Sequence, residues 1–105
     1  MNIGYLLMPA VSMVLSGNAL ADDGAALARK NNCMECHSLS GKSIGPALQD
    51  IAAKYRNNKN AHTMLEKKVR NGGAGTWGKV PMPASANSVS DDDIRNIVKW
   101  VLALK

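Results

Sequence analysis

Both cysteines of the chain fall in one five-residue segment, Cys33-Met34-Glu35-Cys36-His37. C-x-x-C-H is the spacing of a covalent attachment site for c-type haem. Two thiols add across the vinyl groups of the macrocycle, and the adjacent imidazole coordinates iron from the same turn. One short segment must supply two thioether links and an iron bond, which is why the spacing is tight. Competing chemistries need partners that the chain does not offer. A structural zinc site takes four protein ligands, and His62 is the one plausible addition to this segment. A thioredoxin-like redox pair belongs to a βαβ pattern, for which there is no signal. A plain disulfide leaves His37 without a role.

A second iron ligand separates an electron carrier from a ligand binder. The candidates are Met34, His62, Met64 and Met82. Met34 lies inside the attachment segment and cannot reach the opposite face. Met64 sits on the apolar stripe of an expected helix and reads as core. His62 stands among polar residues and reads as a solvated side chain. Met82 lies between Pro81 and Pro83 in a long loop. Prolines fix φ and lower the entropy cost of holding one loop shape. A thioether projected from such a loop can close the distal side of a haem, so Met82 is the expected sixth ligand.

These residues need elements to position them, and the pattern is helical. Asp22-Asp23 precede a first helix expected over Ala25 to Lys30, with acids at its start and bases at its end. Leu48, Ile51, Ala52 and Tyr55 recur at helical spacing after Gly45-Pro46. Ala61, Met64, Leu65 and Val69 do so again, stopped by Asn71-Gly72-Gly73. Ser90 caps the last helix, Asp91 to Asp93 fill its first turn, and Ile94, Ile97, Val98, Val101 and Leu102 form its stripe. No segment alternates at period two, so the expected fold class is all-α. The stretch from Gly72 to Ser88, rich in Gly, Pro, Ser and Ala, is too long for an idle loop.

Before these helices, Ile3 to Leu15 is uncharged and largely apolar, and Ala19-Leu20-Ala21 matches an A-x-A cleavage site. Residues 1–21 are therefore expected to be a secretory signal peptide and 22–105 the mature domain. No basic residue lies between Met1 and Leu15, so the amino terminus alone supplies the positive end or translation starts upstream. No apolar run reaches the ~18 residues of a membrane span, so no membrane anchor is expected.

The chain of 105 residues carries 13 basic and 8 acidic side chains, a formal charge of +5. Its 46% hydrophobic content excludes a disordered protein. Aromatics make up 4% and Phe is missing, so a small domain of this composition is expected to be completed by a metal, a cofactor or an oligomer. Nucleic-acid binding fits neither the leader nor basic residues spread along the chain.

Several ordered motifs resemble the small class I bacterial cytochromes c of the c-551/c-552 type. They are Cys33-Met34-Glu35-Cys36-His37, Gly45-Pro46-Ala47, Asn71-Gly72 followed by Gly75-Thr76-Trp77-Gly78, Val80-Pro81-Met82-Pro83, and Lys99-Trp100-Val101-Leu102. The resemblance spans the mature chain. It implies four to five short helices wrapped around one haem c held by Cys33 and Cys36, with His37 and Met82 as axial ligands. It also implies that the Pro46 carbonyl accepts from His37, that Trp77 and Lys68 bind a propionate, that Asn71 bonds near the same edge, and that Trp100 packs against the first helix. Four features depart from the pattern: Ala28 where an aromatic is common, the charged Glu35, Lys79 in place of a proline, and a longer Ala84–Val89 segment, which leaves open whether Ser85 or Asn87 supports Met82.

The function so implied is a periplasmic, monomeric one-electron carrier with no catalytic residues. Its partners would be redox proteins: a quinol-oxidising donor, and an oxidase, nitrite reductase or peroxidase as acceptor. They would dock at a face where Arg29, Lys30 and Lys79 meet Met34, Ile44, Pro81, Pro83 and Ala84. The alternative is a peroxidase-like or gas-binding haem module, which requires Met82 to be off the iron.

Overall fold

A computed structural model describes residues 3–4, 6–12 and 23–105. The expected cleavage site, Ala19 to Ala21, lies outside them. The described leader residues form no helix or strand, and Ile3, Leu6, Leu7, Met8 and Val11 are exposed. They contribute nothing to the core.

Four helices follow in order. Helix α1 is Gly24–Lys30, α2 is Leu48–Tyr55, α3 is Ala61–Asn71 and α4 is Asp91–Leu102. A 3-10 turn at Cys33–Glu35 joins α1 to the long connection before α2. No strand occurs among the described residues beyond one isolated antiparallel bridge, Gly73 to Met82. The all-α expectation holds, and helix bounds agree with the sequence to within a residue or two.

The helix starts follow from side-chain caps. The Asp23 carboxylate accepts from the Ala25 N–H at 3.1 Å, which begins α1 one residue earlier than expected. The Ser90 hydroxyl accepts from the Asp93 N–H at 3.0 Å, and three aspartates complement the α4 dipole. At the end of α1, the Asn31 amide donates to the Leu27 carbonyl at 2.9 Å. Asn32 then turns left-handed at φ 64°, steering the chain into the cysteine segment.

Helix α4 is the hub, and α1, α2 and α3 all pack against it. Its Ile94, Ile97, Val98 and Val101 are buried with Leu27, Ala28 and Leu48. A Cβ at Gly24 would collide with the Trp100 Cβ, so the glycine lets the start of α1 approach α4 closely. Trp100 packs half-buried on this core, at the α1–α4 crossing that the motifs implied. Met64 departs from expectation: it is 38% exposed rather than core. The buried face of α3 centres on Ala61, Leu65 and Val69, and Met64 falls just beyond its edge.

Candidate functional site

The attachment segment is shaped before any cofactor is considered. Within the 3-10 turn the Cys36 and His37 N–H groups both donate to the Cys33 carbonyl, at 3.3 and 3.0 Å. The Gly45 N–H donates to the Cys36 carbonyl at 2.7 Å, tying the Gly45-Pro46 corner onto the turn. A Cβ at Gly45 would come within 2.8 Å of the His37 ring, so a larger residue would tilt the imidazole.

The His37 ring nitrogen Nδ1 lies 2.7 Å from the Pro46 carbonyl oxygen. A carbonyl only accepts, so Nδ1 carries the proton and donates. In the neutral ring this leaves Nε2 with the free lone pair, which is the arrangement of a metal-ligating histidine whose other nitrogen is anchored. The bond expected between His37 and Pro46 is present.

The Met82 backbone is held at both ends. Its N–H donates to the Gly73 carbonyl at 2.8 Å, and its carbonyl accepts from the Gly73 N–H at 3.0 Å. A Cβ at Gly72 would run into that same Met82 carbonyl. The turn that ends α3 therefore doubles as the seat of the methionine loop. Downstream, the Ser85 N–H and hydroxyl both donate to the Val69 carbonyl, the hydroxyl at 2.8 Å. That hydroxyl is committed to α3, so it does not serve the Met82 sulfur. Arg70 reaches across to the longer segment, donating to the Ala86 carbonyl at 3.1 Å, the Val89 carbonyl at 2.7 Å and the Asp91 carboxylate at 2.7 Å.

These pieces surround a cleft with a cavity volume of about 160 Å³, walled mostly by apolar side chains such as Leu48, Ile51, Leu65 and Ile97. Cys33, Cys36, His37, Pro46, Lys68, Trp77 and Met82 all line it. His62 and Met64 do not. Asn71 is absent from the cleft as well: it lines a separate groove on the outer face of α3. Met34 is half-buried against the core. Burial pushes the Cys33 thiol above its ordinary range, partly offset by a backbone hydrogen bond.

Trp77 sits on a turn closed by the Gly75 N–H donating to the Gly78 carbonyl at 2.8 Å. The Lys54 ammonium lies 5.6 Å from the Trp77 ring and 5.9 Å from the Tyr55 ring, within cation–π range of both. Lys54 and Arg70 are supporting residues that the sequence reading missed, while Gly72 was read only as a helix stop and Ser85 only as a possible partner of Met82. Arg70 had no local signal, since its partners lie 16 to 21 residues away.

The residues fit a covalently attached haem: two adjacent thiols, an anchored imidazole and a thioether converge on one apolar cleft. The cytochrome c family model matches residues 21–105. The chain belongs to the cytochrome c family. Its members carry haem covalently attached through a cysteine pair and act as electron carriers. Within the family it is of the class I c-551/c-552 type. Cytochrome c-552 of Nitrosomonas europaea is 47% identical over 91% of this chain and 90% of its own. Cytochrome c-551 of Pseudomonas aeruginosa is 38% identical over 95% and 94%. The crystal structure of the Nitrosomonas protein superposes with a TM-score of 0.73, covering 77% of this chain and 99% of that one.

Proposed function

We propose that this protein is an exported, soluble one-electron carrier that holds a single haem c. Cys33 and Cys36 supply the thioether links, and His37 and Met82 supply the axial ligands. The bound group provides a one-electron iron couple, whose potential a thioether ligand raises. The observation that carries this reading is the convergence of Cys33, Cys36, His37 and Met82 on one cleft that His62 and Met64 do not line.

Each residue has a physical task. The Pro46 carbonyl fixes the tautomer and plane of His37. Gly73 holds the Met82 backbone in both directions, so the thioether is preorganised in either oxidation state. Lys68 and Trp77, on the cleft wall, suit the propionates. Asn71 fits that role poorly from the outer face of α3. Two protein ligands leave no open position for a substrate, which argues for a carrier without catalytic residues over a peroxidase-like or gas-binding module.

The leader before Asp22 supports export to the periplasm, where donor and acceptor are redox proteins, such as a quinol-oxidising complex and an oxidase, nitrite reductase or peroxidase. The carrier acts as a monomer, without a membrane anchor and without binding nucleic acid. The test is the secreted protein itself. Its mass should equal a chain starting near Asp22 plus one haem, the haem should survive acid–organic extraction, and redox titration should be reversible with one electron. Release of free haem, or two titratable thiols in the mature chain, would contradict the proposal.

A further inference from the structure

The basic residues are spread along the chain, as expected, but the net charge is not. Lys54, Arg56, Lys59, Lys67, Lys68 and Arg70 face only Glu66 in their stretch, and the remaining residues carry seven charges of each sign. The whole formal excess of +5 therefore sits on the end of α2, the loop to α3, and α3. Among the described residues, Arg70 alone of these six is in an ion pair.

This region is concave. A groove along the outer face of α3 is lined by Asn60, Thr63, Met64, Lys67, Lys68 and Asn71, and it ends at Gly72. Its walls offer ammonium, amide and hydroxyl groups, with Met64 as the one apolar side chain. Lys68 is shared between this groove and the cleft, and Gly72 abuts the Met82 carbonyl. At the other end of the patch, Lys54 stacks on Trp77, itself a cleft wall.

We propose that the α3 groove and the basic loop beside it form the docking site for a carboxylate-rich segment of a redox partner protein. This rests on the electron-carrier reading above, and it locates the electrostatic contact away from Arg29, Lys30 and Lys79. Carboxylates match both the donor-only cations and the amide and hydroxyl donors of the groove. A membrane surface fits less well, because the Arg56–Asn60 loop presents no apolar side chain to insert. A single-sign patch focuses the field and steers an acidic partner onto a face one residue from the methionine loop.

The experiment titrates ¹⁵N-labelled reduced holoprotein with a ten-residue polyglutamate peptide at low salt and follows amide shifts. A second titration uses vesicles of equal phosphatidylglycerol and phosphatidylcholine. The proposal expects saturable peptide shifts confined to residues 54–72. Lys59→Glu/Lys67→Glu should weaken binding at least tenfold, and Lys30→Glu/Lys79→Glu less than twofold. Redox titration of each variant shows separately whether the carrier itself is intact. Shifts centred on Lys30 and Lys79, no saturable shifts, equal losses in both double variants, or tighter binding to the vesicles would each overturn it.

Discussion

Gly72 ends α3 at a φ of 70° and lies against the Met82 carbonyl. Both features exclude a side chain, one by backbone strain and the other by contact with rigid main chain. Gly41 also has a positive φ, 81°, but a Cβ there would meet nothing within 4 Å. The pair separates the two costs. Gly41→Ala should lose about 1 kcal/mol of holoprotein stability in denaturant unfolding, from conformation alone. Gly72→Ala should lose clearly more and also displace the Gly73–Met82 bridge, so that the methionine ligand is weakened in its spectrum. Equal losses would mean that the Met82 loop does not rest on this glycine. The chemistry-bearing residues were legible in the sequence because covalent and ligand chemistry demands particular atoms at fixed spacing, as in Cys33, Cys36 and His37. The glycine that seats Met82 was legible only as a helix stop, because its second role depends on a residue ten positions away.

The helices were read almost in full, since caps and stripes are local. Asp23 and Ser90 announce α1 and α4, and Ile94, Ile97, Val98 and Val101 announce the buried face of α4. What escaped was the route of the chain from α3 to α4. That route is set by Arg70, whose guanidinium ties the Ala86 and Val89 carbonyls and the Asp91 carboxylate to one another. No short-range pattern encodes such a clamp. Met64 was misread for a related reason: an apolar residue at the margin of a stripe turns inward or outward according to what the neighbouring elements cover. Arg70→Ala should cost about 1–3 kcal/mol, because carbonyls in the loop lose their donor. Asp91→Ala should cost much less, since its side chain is 88% exposed and exposed ion pairs contribute little. Thermal melts of the two holoproteins decide this, and a larger loss for Asp91→Ala would remove the clamp from the account.

At the scale of the molecule, the core is thin. Among the described residues, four of the ten buried hydrophobic residues are alanines (Ala28, Ala47, Ala52 and Ala61), and no large side chain is completely buried. The 84-residue domain 22–105, with so little to bury, is marginal by itself, while apolar side chains line its cleft. Cys33→Ala/Cys36→Ala made without haem should therefore be largely unfolded. Circular dichroism with native helix content and a cooperative melt near that of the holoprotein would contradict this. The same cleft defines the central claim, that a second protein ligand on Met82 makes the molecule a carrier. The direct measurement is the absorption spectrum of the holoprotein and of Met82→Ala, oxidised and then reduced under carbon monoxide. The account predicts the weak long-wavelength iron–thioether band in the wild type and no carbon monoxide adduct. Met82→Ala should lose the band and bind the gas, while Met64→Ala and His62→Ala behave as wild type. A band that survives in Met82→Ala, or a wild-type protein that binds carbon monoxide readily, would contradict it.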